Sequence, residues 1–473
     1  MAVEVRDYSL AGADTERALV SGLANAEWYR PEIDPQRLRE LSIRSNGHAA
    51  ATTLAWAALI VASGVTAFLL LRAGSWWALL AFFVYGTLYG GAADSRWHEA
   101  GHGTAFKSDL ANTLTYYAAS FMLWREPTVW RWSHVRHHSD TIVVGRDAEI
   151  VFPRPPKLGA WLANYVNFFG APTMLARMFR HARGNISEGD RSYIPESEHG
   201  RVVTEARVFL AVLAGVVVWC VAAQSIVPAL FFGLPTFYGA WLVLLFGTTQ
   251  HAGLREDVRD HRLNTRTVYM NPLFRFLYLN MNYHVEHHLF PTVPYHSLPA
   301  LHAEVKDQLI EPAPSTIAAY REIVPALLKQ RKDPTWEIPR KLPASAGAGA
   351  FVPETAVRIT GKPVEGAAGD WIDAGAADAL GLDDVVRVDV GDATYAVYRL
   401  ASGVFATDGI CTHSRRVHLA DGVIIGDAIE CPKHNGRFDI ATGAPMRAPV
   451  CDALATYPVE IVDGRVRFHL QHE

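Results

Sequence analysis

Apolar residues in this chain gather into a few long runs instead of recurring at helical or strand spacing. Ala51 to Leu71 is 21 positions without a charge, and Ser75 to Ala93 is another 19. Val208 to Gln250 is a run of 43, broken near Gln224 to Pro228 and again at Gly233 to Pro235. At about 1.5 Å per residue, roughly 20 such residues cross the ~30 Å hydrocarbon layer of a bilayer. The pattern predicts four transmembrane helices arranged as two hairpins, since a soluble helix of this length would show an amphipathic stripe. Leu110 to Trp124 and Leu158 to Met178 are too short or too interrupted to span and are expected in the interface or in a cytoplasmic roof. From Pro339 the composition turns to small residues and proline, the mark of a linker. Beyond it, short alternating runs such as Val385 to Val390, Thr394 to Leu400 and Ile461 to Phe468, separated by Gly and Asp, predict a small all-β domain. The expected organisation is a cytoplasmic N-terminal segment 1–50, a membrane domain 51–338, a linker 339–368 and a β domain 369–473.

Charge adds orientation. The first 30 residues carry Glu4, Arg6, Asp7, Asp14, Glu16 and Arg17 where a secretory signal would have an apolar core, so no signal peptide is expected. Arg30, Arg37, Arg39 and Arg44 precede the first span and many more basic residues fill the loop Asp94 to Arg207, whereas the hairpin turns offer only Arg72. The N-terminus, that loop and everything after residue 250 are therefore expected on the cytoplasmic side of a bacterial-type inner membrane. A net charge of −4 over 473 residues gives no basis for a nucleic-acid partner.

The histidines carry the chemistry. His98 and His102 lie in "HEAGH", His134, His137 and His138 in "HVRHH", and His284, His287 and His288 in "HVEHH". Spacings of three and four place each set on one helical face. Taken alone, HEAGH matches the H-E-x-x-H pattern of zinc peptidases, with Glu99 as general base. Yet the topology drawn from hydropathy and charge puts all three clusters on the same membrane side, and His251 falls at the cytoplasmic end of the fourth span. A zinc site takes three or four protein ligands, so eight or nine imidazoles suit two ions, and imidazole suits iron as well as zinc or copper.

In order, spacing and placement, the three boxes resemble those of the membrane-bound di-iron desaturase and hydroxylase superfamily, and "NMNYHVEHHLFPTVPYHSLPALH" is close to the third box of acyl-lipid desaturases. The resemblance covers about residues 40 to 310. It implies a cone of transmembrane helices under a helical cytoplasmic cap, with His98, His102, His134, His137, His138, His284, His287 and His288 as iron ligands and His251 as a further one. Asp94, Glu99, Asp147, Glu149, Asn282 and Glu286 lie near the boxes and are of the types that orient metal-bound imidazoles; Glu99 and Glu286 are the residues expected to do so.

In the β domain, Cys411 and His413 form a C-x-H arm and Cys431 and His434 a C-x-x-H arm. Two thiolates can hold one iron of a [2Fe-2S] cluster and two imidazoles the other; a zinc ribbon is the competing use, though it favours unmixed arms. Cys220 and Cys451 join neither arm. "ATDGICTH" and "ECPKHNGRFDIATG" resemble Rieske ferredoxins, of the type found in rhizopine catabolism, with a departure at "SRRVH" after His413, where the spacer is one residue longer.

Together the two resemblances imply an O2-dependent oxidoreductase with two non-haem irons and its own Rieske cluster, acting on unactivated C–H bonds of a lipid-like substrate by desaturation or hydroxylation. A rhizopine-like demethylation of a small methyl ether or amine is the alternative. No flavin or dinucleotide fingerprint is present in the sequence, so a separate NAD(P)H-dependent ferredoxin reductase is expected. Two other readings compete: a membrane zinc peptidase and a membrane-anchored electron carrier without catalysis.

Overall fold

A computed structural model describes residues 6–24, 28–343, 357–364 and 370–470, so most of the linker expected at 339–368 lies outside the described residues. The chain divides into two compact units. The first takes in Met1–Tyr29, Arg44–Leu289 and Pro294–Ala348; the second takes in Arg30–Ile43, Phe290–Val293 and Gly349–Glu473.

The first unit is helical. Among the described residues, three helical stretches are long and apolar enough to cross a membrane: Gln36–Arg72, Glu196–Ala222 and Val227–His251. Leu54, Val61, Val217 and Val218 on these stretches are exposed, as side chains facing lipid would be. The second of the four expected spans, at 75–93, is not among them. Its helix Trp77–Gly86 passes into a π-helical turn, Thr87–Gly91, before the helix Ala93–His102 begins. The cause is local: a Cβ on Gly90 would lie 2.2 Å from the Pro235 carbonyl oxygen, so the glycines of Thr-Leu-Tyr-Gly-Gly let two backbones meet where any side chain would block them. The expected interfacial segments form the helices Asp109–Met122, Leu158–Ala163 and Gly170–Ala182, which leave Leu110, Leu114, Leu162, Phe168 and Phe169 exposed.

Four helices bring histidines inward. Ala93–His102 stops at Gly103, whose left-handed φ of 66° gives a helix end that glycine favours. Pro127–Ser139 starts with proline in its first turn, where the missing N–H costs nothing. His284–Leu289 and Ala240–His251 supply the rest.

The second unit is built of β-sheet. Strands Asp384–Val390, Ala393–Leu400 and Gly403–Asp408 form an antiparallel meander, flanked by Arg358–Thr360 in parallel and by Thr456–Tyr457. A second sheet orders Pro445–Arg447, Arg437–Asp439, Ala428–Glu430 and Val423–Ile425. A third pairs Val459–Val462, Arg465–His469, Trp371–Ala376 and Lys362–Pro363. Alternate residues of the strands fill the cores: Ile372, Val386, Val388 and Phe468 in one cluster, Tyr398, Ile429, Phe438 and Ile440 in another.

Candidate metal centres

Nine buried or nearly buried imidazoles converge in the first unit and fall into two sets. His98, His102, His134, His138 and His287 form one; His137, His251, His284 and His288 form the other, with the ligand atoms of each set within 4.8 Å of one another. The Nε2 atoms face each other: His102 to His134 at 3.0 Å, His134 to His138 at 3.2 Å and His138 to His287 at 3.1 Å in the first set. In the second, His284 stands 3.2 Å from both His251 and His288. Imidazoles bound at about 2.1 Å are about 3.0 Å apart at right angles and about 3.4 Å apart at tetrahedral angles. The separations of 3.0 to 3.2 Å lie between these two values, and the set of five exceeds the four ligands of tetrahedral zinc. These donors would therefore suit two ions, and the set of five favours non-haem iron over tetrahedral zinc.

Burial gives at least five of these imidazoles the protonation the ions need, whereas Asp147 raises His137 against the effect of burial. The imidazoles of His98, His138, His284, His287 and His288 are held well below their ordinary pKa, first by burial and then by neighbouring imidazoles, so they are neutral with lone pairs to offer. Neither ring nitrogen of His98 has a hydrogen-bond partner among the described residues, a cost that metal ligation removes.

Several rings are oriented through Nδ1, leaving Nε2 for the metal. His137 Nδ1 lies 2.8 Å from Asp147 Oδ2, and His134 Nδ1 lies 3.1 Å from Glu149 Oε2. His251 Nδ1 donates to the Asn264 carbonyl at 2.8 Å, and His288 Nδ1 is 3.3 Å from Thr141 Oγ1. Burial would raise the Glu149 carboxyl, but His134 and His137 beside it and a bond from Ser133 hold it at about 2, so it is a carboxylate at neutral pH.

Glu99 and Glu286, the residues expected in this orienting role, face elsewhere. Glu99 accepts from Thr104 Oγ1 at 2.7 Å and from the Tyr295 N–H at 3.0 Å; burial raises its carboxyl to about 7. Next to His98 in the helix, its side chain leaves about 100° away from that imidazole. Glu286 accepts from Thr267 Oγ1 at 2.5 Å and pairs with His302, whose Nε2 meets the Tyr269 hydroxyl at 2.9 Å. His302, at the end of the third-box segment, and His261, whose ring lies 5.0 Å from that of His288, were not singled out from the sequence. Asp94 pairs with Arg125 at 2.5 Å, and Asn282 donates to the Val268 carbonyl at 2.8 Å.

Asp147→Asn keeps the shape of the side chain but loses the charge that holds His137. It is expected to weaken iron retention or turnover by about 10- to 100-fold, as removing such outer partners does. Iron remaining after dialysis against a graded chelator series measures this directly, and unchanged retention and turnover would remove Asp147 from the site.

A cavity of about 390 Å³ opens onto His98, His134, His137, His251 and His284. Leu123, Phe152, Met174, Val243 and Leu244 give it apolar walls, within the size range of small-molecule sites.

In the second unit, Cys411 and His413 follow the strand Gly403–Asp408, and Cys431 and His434 lie between Ala428–Glu430 and Arg437–Asp439. Both cysteines are buried, and the His413 and His434 Nδ1 atoms are 3.2 Å apart. The neighbouring Cys431 thiol brings the Cys411 thiol down to about 6, while Cys411 and burial push the Cys431 thiol well above its ordinary value, so the two sulfurs share a proton that cluster ligation would displace. The extended spacer is closed on itself: Arg415 N–H donates to the Cys411 carbonyl at 2.8 Å, Cys411 N–H to the Val417 carbonyl at 3.0 Å, and His418 reaches Thr394 Oγ1 at 2.9 Å. Behind the second loop, buried Glu430 accepts from Arg437 at 2.7 Å and from Asn435 at 2.9 Å. Two interacting buried thiols and two imidazoles with adjacent Nδ1 atoms fit a [2Fe-2S] cluster with mixed ligation.

Known proteins resemble each half separately. The family described as fatty acid desaturase matches residues 74–319, and the Rieske [2Fe-2S] domain family matches 370–458. The ferredoxin component of the naphthalene 1,2-dioxygenase/salicylate 5-hydroxylase systems of a Ralstonia species is 39% identical over 22% of this chain and 97% of its own length. The ferredoxin component of a Pseudomonas aeruginosa naphthalene 1,2-dioxygenase system is 42% identical, covering 21% of this chain and 95% of that protein. Among solved structures, a Sphingomonas yanoikuyae B1 ferredoxin shares 39% identity over 20% of this chain and 95% of its own, with a TM-score of 0.20.

Proposed function

As a member of the fatty acid desaturase family with a Rieske [2Fe-2S] domain behind it, this chain is an oxygen-dependent oxidoreductase, and we propose that it oxidises unactivated C–H bonds of a hydrophobic substrate reached from the membrane. The carrying observation is the pair of imidazole sets opening on one largely apolar cavity. The cofactors are two non-haem irons and a Rieske cluster. In this reading His98, His102, His134, His138 and His287 hold one iron, and His137, His251, His284 and His288 hold the other. Cys411 and Cys431 hold one iron of the cluster and His413 and His434 its partner. When bound, the iron pair supplies reductive activation of O2, which needs two electrons, and the cluster supplies them one at a time.

The chain's own residues do the rest. Asp147 and Glu149 hold two imidazoles in the tautomer that leaves Nε2 free, and burial keeps water and protons from the donors. The apolar cavity wall places a C–H bond beside the open positions. Desaturation and hydroxylation differ in whether a second hydrogen leaves or oxygen is added, so the wall's shape selects between them. The ferredoxin relatives serve multicomponent oxygenase systems, which supports a separate NAD(P)H-dependent reductase as the electron source. The same relatives belong to aromatic-ring oxygenase systems, so the rhizopine-type origin of the Rieske domain gains no support from them. The three apolar stretches support a multi-pass membrane protein; both termini and the metal centres face the cytoplasm, as the flanking basic residues favour, only if the apolar segment 75–93 completes the first hairpin as a fourth crossing.

Purified protein is expected to contain about four irons and about two acid-labile sulfides per chain, with no stoichiometric zinc. Zinc near one per chain would transfer the case to a peptidase. Mass spectrometry of lipids from cells producing the chain is expected to show products 2 Da lighter or 16 Da heavier, and an unaltered profile rejects a membrane lipid as substrate.

A further inference from the structure

The cavity is not uniformly apolar. Beside His98 and His134 its lining includes Asp94, Trp97, Arg125 and Trp130. The Arg125 guanidinium carbon lies 4.4 Å from the Trp97 ring centre and 4.9 Å from that of Trp130, while Nη1 donates to Asp94. Three buried donors of this group have no acceptor among the described residues: Trp97 Nε1, and the pair Arg125 Nε and Trp130 Nε1, whose guanidinium and ring lie 4.9 Å apart. Other polar residues lining the cavity are committed. Gln250 bonds the Tyr278 hydroxyl, Asn164 accepts from Phe169 and Gly170 N–H, and Glu149 holds Ser133 and His134. Buried donors without acceptors are costly and rare, so a pair of them at the wall of a binding cavity marks where a ligand acceptor sits.

We infer that Arg125 and Trp130 form an oxygen-recognition subsite, and that the substrate is a short amphiphile carrying a neutral hydroxyl, carbonyl or ether oxygen. Neutrality follows from Asp94, which cancels the guanidinium charge and lines the same wall, where it repels a carboxylate or phosphate. Length follows from Trp97, whose ring centre is 4.4 Å from the Arg125 guanidinium carbon and 5.7 Å from the His134 ring centre. The oxygen subsite and the imidazoles are thus separated by no more than those two distances end to end, about eight single bonds of an extended chain. A long unfunctionalised alkyl chain leaves both donors unpaired; a compact oxygenated molecule satisfies them and brings a C–H bond to the imidazole sets. This rests on the oxidoreductase reading only for what happens to that C–H bond.

Binding tests it without turnover. Full-length resting protein in lipid nanodiscs, without reductant, is titrated calorimetrically with 1-hexanol, hexanoate and n-hexane, with empty nanodiscs as the blank. 1-Hexanol is expected to bind at least about tenfold more tightly than hexane, with hexanoate weaker than the alcohol. Trp130→Phe, which keeps the ring and removes one donor, and Arg125→Lys, which keeps the charge for Asp94 and removes Nε, should each erode that preference while leaving hexane binding unchanged. Equal affinity for the three probes, tightest binding of hexanoate, or a preference that survives when Trp97→Phe is added to the double variant overturns the subsite. A protein that shows the preference yet forms no product with reductant and O2 refutes the reaction and leaves the subsite standing.

Discussion

Full-length protein carrying His137→Ala is expected to keep its Rieske absorption, to hold about three irons in place of about four, and to form less than about 1% of the wild-type oxidised product. His137 is one of four imidazoles in the smaller set, so its loss leaves three neutral donors for an ion that needs more. The fold should tolerate the change. Alanine suits the interior of the helix Pro127–Ser139, and buried Asp147, which loses the imidazole, still accepts from the Ile142 N–H at 2.8 Å and the Glu149 N–H at 2.8 Å. The set of five is untouched, so the variant separates one ion from two. Iron analysis, visible absorption and product mass spectrometry read the three parts of the expectation. Wild-type yield of oxidised product with the smaller set disabled would reject a two-iron site, because the set of five alone would then suffice. A non-catalytic carrier is rejected by any O2-dependent product in the wild type.

The boxes themselves were legible because three- and four-residue spacings report a helical face, and His251 because hydropathy put it at the same membrane side. The division of labour between the ions was not. In each H-x-x-H-H box the i and i+4 members, His134 with His138 and His284 with His288, serve one set, while the middle members His137 and His287 cross to the opposite set. On a helix the i+4 residue lies roughly 40° to one side of residue i and the i+3 residue roughly 60° to the other, so the middle imidazole sits on the shoulder and can reach a second ion. Spacing shows the shoulder; only packing shows what stands opposite it. The orienting carboxylates could be named from the sequence but not ranked, for a related reason. Asp147 and Glu149 lie beyond the end of their helix, in a turn that folds back over 10 and 15 residues to His137 and His134. Glu99 and Glu286 looked better only because they are adjacent in sequence. The break in the helix expected at 75–93 could not be read because a count of uncharged residues does not register what glycines do: Gly90 trades side-chain volume for contact with the Pro235 backbone, and the helix becomes a π turn there.

Cys431→Ala is expected to be as severe as His137→Ala under steady-state conditions and nearly silent in a single turnover. Cys431 is buried directly after the strand Ala428–Glu430, and its backbone is held independently of its thiol: its N–H donates to the Gly436 carbonyl at 2.8 Å, and its carbonyl accepts from Asn435 N–H at 3.1 Å. Glu430, with Arg437 and Asn435, braces the same loop from behind. Alanine therefore removes a cluster ligand and leaves the loop in place. The variant should lose the visible absorption, both labile sulfides and about two irons, and retain the about two irons of the histidine sets. Turnover driven by NAD(P)H and a ferredoxin reductase should fall below about 1% of wild type, since each oxidation needs two electrons that this domain delivers singly. Chemical reduction with dithionite and a mediator bypasses the domain. On mixing with O2, such pre-reduced variant should form up to one product per chain, as the wild type does, because His98 to His288 and the cavity are unaltered. Undiminished NAD(P)H-driven turnover would show that electrons reach the histidine sets by another route, and failure of the pre-reduced variant would give Cys431 a role beyond electron supply.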